Sequence, residues 1–315
     1  MKQVKVGVIG TGSMGQRHCR IYSGLRRVDF VGICDISPER GYQIAQQHEV
    51  LFYDRLDDLL EKVDAVSICV PTPFHFELAM RCLDQGVHVL IEKPITETLA
   101  QAEQVTQAAQ DSGLVVQVGH IERFNPTFLE LKNVVENMTV AAINLRRLSA
   151  YAGSNTDVDA VLDLMIHDLD LTLNLVGQEP VSISAYGLTA FSGTIDHAVA
   201  HFKYEQGPLV TVTASRVTEQ KIRTIEVTAL EAYLEADLLK KTILAHRRTI
   251  GEYLHNKSQR GVKYRQESVV ESIHVPMFEP LFLELQHFVD CILENKSPLV
   301  TAQDGLKALR LATVI

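Results

Sequence analysis

The chain contains no tryptophan, only five cysteines, and no apolar run near the roughly 20 residues that a membrane-crossing helix needs. The cysteines (Cys19, Cys34, Cys69, Cys82 and Cys291) are scattered, odd in number and never spaced as C-x-x-C. That pattern argues against a disulfide framework and against a cysteine-based zinc site. Four of the five sit in apolar stretches, as small buried thiols do in reducing compartments. Positive charge is also short: 30 Lys+Arg against 39 Asp+Glu leave a formal net charge of -9. No basic stripe carries interleaved aromatics, so neither nucleic acid nor an anionic membrane is expected as a partner. No signal peptide is expected either, because residues 1–9 run directly into a strand and a glycine turn without a longer apolar core or a small-residue cleavage site. The expectation is a cytoplasmic protein.

What the chain does have is apolar substance. Its 315 residues are 46% hydrophobic, enough for two cores when single domains stop growing at about 250 residues. Residues 5–9, 28–34, 65–70, 87–91 and 114–118 are short runs rich in Val and Ile. Amphipathic stretches of helical length separate them at 14–25, 38–47, 74–85 and 99–111, and a weaker strand–helix pair at 51–53 and 56–61 completes the alternation. Strands apolar on both faces, alternating with helices, predict an α/β, doubly wound parallel sheet over residues 1–120. The texture changes at His120. A helix is predicted over 127–137, followed by strands at 140–148, 181–188, 198–204, 209–215, 222–229 and 232–238. Helices at 161–176, 280–294 and from 302 onward complete a second, α+β domain over 121–315, with a large open, mostly antiparallel sheet. The apolar helical pattern is still running at Ile315, so a few further residues are expected beyond it.

Gly10-Thr11-Gly12-Ser13-Met14-Gly15 matches G-x-G-x-x-G, and its position after a strand and before a helix gives the match meaning. Gly10 permits the tight turn, Gly12 lets the backbone approach phosphates, and Gly15 lets helix and strand pack closely. The helix start, with Thr11, Ser13 and Met14, then offers N–H groups and a partial positive charge to a pyrophosphate. Asp35 ends the second strand about 20 residues past the last glycine, where a ribose-binding carboxylate belongs. Such a carboxylate favours NAD over NADP, although Ser37 and Arg40 follow closely and leave some NADP use open.

The fifth strand ends in Glu92-Lys93-Pro94, and the carboxyl ends of parallel strands face the ligand crevice. Lys93 is therefore a candidate to orient a substrate hydroxyl or to take its proton; taken alone, a strand-end lysine is better explained by solvation. Thr72 and His75, at the end of the preceding strand, are candidates to line the nicotinamide side, and Glu92 and Lys93 are cofactor-binding candidates with them. In the second domain, 161–176 reads VLDLMIHDLDLTLNLV. On a uniform α-helix, Asp163, His167, Asp170 and Asn174 form one polar stripe on an otherwise apolar rod. Asp163 then stands beside His167 and orients it for general-base work on an alcohol. With no Cys or second His at ligand spacing along the stripe, no metal is expected.

The glycine loop, Glu92-Lys93-Pro94 and Asp163-x-x-x-His167, in that order, resemble the glucose–fructose oxidoreductase / inositol dehydrogenase family over essentially the whole chain. The resemblance implies a dinucleotide-binding domain and an open-sheet domain that often assembles dimers or tetramers sheet to sheet. It also implies a substrate hydroxyl served by Lys93, Asp163 and His167. Gly119-His120-Ile121-Glu122-Arg123-Phe124-Asn125-Pro126, Asp163-Leu164-x-x-His167-Asp168-x-Asp170 and residues 279–311 further resemble the family's UDP-N-acetylglucosamine 3-dehydrogenase branch. Arg123, Asn125 and Asp170 are accordingly substrate candidates, although Arg123 and Asn125 are equally consistent with junction packing; Arg146 and Arg147 join Arg123 as candidates for a diphosphate. The expected function is NAD-dependent oxidation of a sugar or nucleotide-sugar hydroxyl. A dehydrogenase of a free sugar or cyclitol, and a non-catalytic NAD-responsive regulator, are its rivals. Where many members carry a glycine-rich lead-in to the Asp-x-x-x-His helix, this chain has Asp157-Val158-Asp159-Ala160.

Overall fold

The computed structural model describes residues 3–151, 158–191, 193–254 and 262–315. Asp157 of the departure noted above lies outside them. The chain forms two compact units, Met1–Phe124 with Phe278–Val314, and Asn125–Met277.

In the first unit, strands and helices alternate as β1 (Val4–Ile9), α1 (Ser13–Tyr22), β2 (Val28–Cys34), α2 (Pro38–Gln47), β3 (Leu51–Tyr53), α3 (Leu56–Leu60), β4 (Ala65–Ile68), α4 (His75–Asp84), β5 (His88–Glu92), α5 (Leu99–Ser112) and β6 (Val116–Gly119). All neighbouring strands pair in parallel, in the order β3-β2-β1-β4-β5-β6. That is the doubly wound dinucleotide-binding order, with its crevice where the strand sequence reverses beside β1. Every residue of β4 is buried, as a sheet covered on both faces requires.

The second unit contains α6 (Pro126–Val135), β7 (Val140–Leu148), a π-turn (Val161–Met165), α7 (Ile166–Val176), β8 (Ser182–Leu188), β9 (His197–Lys203), β10 (Leu209–Ser215), β11 (Ile222–Ala229), β12 (Tyr233–Asp237), β13 (Thr242–Leu254) and β14 (Val262–Ile273). Its sheet runs β14-β13-β12-β11-β7-β10-β9-β8, antiparallel except where β10 lies parallel to β7. Period-two alternation puts Ile143 and Leu145, Val210 and Val212, and Ala200 and Phe202 on the buried face. α6 and α7 pack against this sheet. The opposite face is polar: Asn144 Nδ2 donates to Glu226 Oε2 at 3.0 Å, and His246 pairs with Glu235 at 2.7 Å.

Two expectations change. The β13–β14 hairpin, in register from Ile243↔Ile273 to Leu254↔Val262, was not foreseen, because its polar sequence carries no hydrophobic alternation. The final helices, α8 (Pro280–Glu294) and α9 (Ala302–Thr313), were expected in a domain covering 121–315, yet they join the first unit. Leu281, Leu285, Phe288 and Val289 of α8 enter the same core as Val4, Val6, Val8 and Tyr22. At α9, Gly305 comes so close to β6 that a Cβ there would stand 2.8 Å from the Val118 side chain. Burial of that apolar helix face decides the assignment; order along the chain does not.

Candidate active site

The glycine loop has the shape its sequence anticipates. Gly10 takes φ +87, a left-handed conformation, and a Cβ there would meet the Cys69 carbonyl at 2.7 Å. A Cβ on Gly15 would stand 1.9 Å from the Gly10 carbonyl oxygen, so loop and helix are in backbone contact. Gly12 is the N-cap of α1 and has open space where a Cβ would be. Among the described residues no side chain caps that helix start, which leaves its leading N–H groups suited to an anion. These features fit the pyrophosphate of a dinucleotide, and Ser13 and Met14 supply the helix's first turn.

Asp35 follows β2 directly and is held from several sides. Its Oδ2 accepts from the Thr11 N–H and the Thr11 hydroxyl, both at 2.6 Å. Its Oδ1 accepts from the Ser37 N–H at 2.8 Å and Arg40 Nη2 at 2.7 Å. Burial pushes the carboxyl up, but the Thr11, Ser37 and Arg40 donors outweigh it and hold Asp35 below the ordinary carboxylate range. A fixed carboxylate therefore stands beside the loop, with a guanidinium on its outer side.

Lys93 is half-buried at the end of β5, and Thr72 is half-buried in a short 3-10 turn (Thr72–Phe74) after β4. Two neighbours behave differently from expectation. His75 was a candidate to line the nicotinamide, yet its ring is 1% exposed, with Nδ1 2.8 Å from the Pro94 carbonyl and Nε2 2.9 Å from the Val70 carbonyl. It fastens the loop after β4 to the loop after β5. Glu92 was a cofactor candidate, but its carboxylate is buried and lies 3.0 Å from His18 Nε2 on α1. His18, Cys69 and Glu92 place one ligand-type atom each within 4.8 Å of one another. The His18–Glu92 hydrogen bond already occupies two of these atoms, and burial pushes the Cys69 thiol well up, so it stays protonated. This is a hydrogen-bonded pair beside a neutral thiol.

In the second unit, Asp163 and His167 are both half-buried, but the segment is not one α-helix. Residues 161–165 form a π-turn, with the Ile166 N–H reaching the Val161 carbonyl, and regular α-geometry begins at Ile166. Asp163 lies in the wide turn and His167 in the first turn of α7, so the i,i+4 stripe expected of a uniform helix is broken between them. Such π-turns occur often at functional sites.

Of the substrate candidates, Asp170 is 1% exposed. Asn125 is an N-cap: its Oδ1 accepts from the Thr127 N–H at 3.0 Å, and its Nδ2 donates to the Leu238 carbonyl at 3.3 Å. Arg123 is buried in the first unit, 3.7 Å from Asp304. Arg147 is buried too, forked onto Asp168 through bonds of 3.0 and 2.8 Å. Asn125, Arg123 and Arg147 thus each have a packing contact, whereas Arg146, on the other side of the strand, is half-exposed. Sequence reasoning missed His18; its signal was a histidine one helical turn past Gly15, on the inward face of α1.

Comparison with known proteins agrees with this fold. Residues 4–120 match an oxidoreductase family's NAD-binding Rossmann fold, and residues 145–235 match the GFO/IDH/MocA C-terminal domain. The UDP-N-acetylglucosamine 3-dehydrogenase of Acidithiobacillus ferrooxidans is 30% identical over 99% of this chain and 96% of its own. A solved structure of that enzyme superposes with a TM-score of 0.89, covering 100% of this chain and 97% of the other. A scyllo-inositol 2-dehydrogenase of Bacillus subtilis is 25% identical, covering 96% of this chain and 90% of its own. The Lactobacillus casei scyllo-inositol dehydrogenase, solved with NAD(H) and scyllo-inositol, shares the fold at TM-score 0.82 and 21% identity, covering 100% of this chain and 96% of the other.

Proposed function

The chain belongs to the GFO/IDH/MocA oxidoreductase family, and from that membership we propose that it oxidises a secondary alcohol of a nucleotide sugar with NAD. The substrate we assign is UDP-N-acetylglucosamine, whose 3-hydroxyl becomes a 3-keto group. The observation that carries this choice is the full-length likeness to an enzyme named for that reaction, at 30% identity, against 25% for the inositol dehydrogenase compared above. That lower likeness keeps a free cyclitol as the second reading. Asp35 supports NAD over NADP, because a carboxylate beside the ribose repels a 2′-phosphate; Arg40, bonded to it, tempers the preference.

Bound nicotinamide would supply the hydride acceptor. Loss of hydride leaves the alcohol proton to a base within about 3 Å of the oxygen. We assign that base to His167, oriented by Asp163, and assign Lys93 to hydrogen-bonding and polarising the oxygen; the reverse assignment of His167 and Lys93 is the alternative. Assembly through the open sheet of the second unit is part of the same reading.

The test is reduction of NAD, followed by absorbance, with UDP-N-acetylglucosamine and myo-inositol offered separately. Turnover is expected with the nucleotide sugar; turnover of myo-inositol alone would replace the substrate. Lys93→Met is expected to lower turnover by about 10² to 10⁴ while NAD affinity stays within about threefold. Unchanged turnover would remove Lys93 from the chemistry.

A further inference from the structure

Behind the end of β5 lies a buried polar cluster that the proposed chemistry leaves unused. Glu92 is 8% exposed and His18 is fully buried. β6 makes room for the carboxylate with Gly119, where a Cβ would stand 3.0 Å from Glu92 Oε2. The titratable groups around Glu92 are His18 from α1, Cys69 after β4, His75 from α4, Lys93 next in the chain, and Glu284 from α8. Burial pushes Glu92 up, but the hydrogen bond from His18 and the electrostatic influence of His18, Lys93 and His75 outweigh it and hold Glu92 below the ordinary carboxylate range. Glu284 goes the other way. It is fully buried, neither carboxyl oxygen has a hydrogen-bond partner among the described residues, and burial together with the Glu92 charge raises it. The two acids are thus pushed apart, with the charge favoured on Glu92, the residue next to Lys93 in the chain.

Resting on the assignment of Lys93 to the reacting oxygen, we propose that the His18–Glu92 pair is a positioning device for Lys93. It ties the helix that opens from the glycine loop to the strand end that carries the lysine. Stability alone accounts poorly for such a pair, since exchanging both partners of a buried hydrogen bond for apolar groups of like shape is often nearly neutral or stabilising. Geometry accounts for it better. The bond joins α1, whose first turn is suited to phosphate, to the last residue of β5, so the two sides of the crevice keep a fixed relation. Glu92 also sets a negative charge beside the ammonium group that must meet the substrate.

Three variants test this in the holoenzyme with UDP-N-acetylglucosamine. Glu92→Gln keeps the shape and a bond to His18 but removes the charge. It is expected to lower kcat about tenfold or more while KM and NAD affinity stay within about threefold. Glu92→Asp restores the charge on a shorter arm and is expected to recover a substantial part of kcat. His18→Gln, which keeps a hydrogen bond to Glu92 and loses the imidazole, is expected to lower kcat in the same sense and covers the case in which Glu92→Gln does not fold. Wild-type kcat in a folded Glu92→Gln overturns the proposal, as does parallel loss of NAD binding or unfolding of both Glu92→Gln and His18→Gln, which would make the pair structural. Lys93→Met in the same assay separates the two levels. If it is inactive while Glu92→Gln is not impaired, positioning alone fails; if it stays active, the lysine assignment fails and the proposal with it.

Discussion

In the first unit, buried Asp35 and Glu92 are met by backbone N–H groups, a threonine hydroxyl, a histidine and the half-exposed Arg40, whereas in the second unit Asp168 and Asp196 are each met by a buried arginine. Arg216 bonds Asp196 at 2.7 Å and also holds the Val158 carbonyl and the Thr194 hydroxyl. The difference is in the burial of the guanidinium, since Asp35 is bonded to Arg40 and Asp196 also accepts from the Ala190 and Phe191 N–H groups. A guanidinium stays charged at every pH a protein meets and fixes a planar fork, while a histidine or an amide tunes a carboxylate without committing a permanent charge to it. The second unit uses the fork to fasten strand ends to neighbouring segments. The first sets a histidine on Glu92 and leaves the guanidinium on Asp35 half-exposed, beside the crevice that would meet a nucleotide.

The sharpest way to break this comparison is to strip an arginine from the second unit. Arg147→Met leaves Asp168 buried without its fork and is expected to cost about 3–5 kcal/mol in denaturant unfolding. The double variant Arg147→Met/Asp168→Leu should recover most of that, and equal losses in the single and double variants would deny the fork its role. Next in size is Gly15→Ala. Its Cβ would press on the Gly10 carbonyl, so NAD affinity measured by titration is expected to fall about 100-fold or more. Asn125→Ala separates cap from substrate ligand: loss of the cap should cost about 1 kcal/mol of stability with KM unchanged, and a raised KM would restore Asn125 to the substrate.

The smallest effect is a pH slope that should divide the units. His48, His75, His88 and His287 all belong to the first unit, and burial pushes each of them below the ordinary histidine value. Their protonated forms are thus disfavoured in the folded state. Their contribution is complete above about pH 6.5 and is lost as the pH falls below that value, because the unfolded chain then binds more protons. Hydrogen exchange followed from pH 7.5 to 5.5 should show protection falling first in 3–124 and 278–314. Equal loss in both units would contradict the contrast.

Much of this was legible in the sequence, and the reason is distance along the chain. The strand–loop–helix around Gly10 and Gly15, the carboxylate at Asp35 and the lysine closing β5 are each set by contacts within one or two neighbouring elements. Period-two and helical alternation likewise repeat within a few residues, so both sheets could be anticipated from composition along short windows. The Asp163–His167 segment was readable as helical and polar on one side. It was not readable as a π-turn, because one inserted residue per turn leaves no mark in hydrophobic spacing.

What the amino-acid order determined by itself was therefore the alternating parallel fold, the phosphate-shaped loop and the residue types available for chemistry, all products of short-range sterics and periodicity. Tertiary structure alone decided that α8 and α9 close the first core, that His18 meets Glu92 from 74 residues away, that Asn125 reaches the Leu238 carbonyl from 113 residues away, and that Arg147 turns inward onto Asp168. Those outcomes depend on which buried polar groups find partners once distant segments pack. No local window of sequence contains both partners.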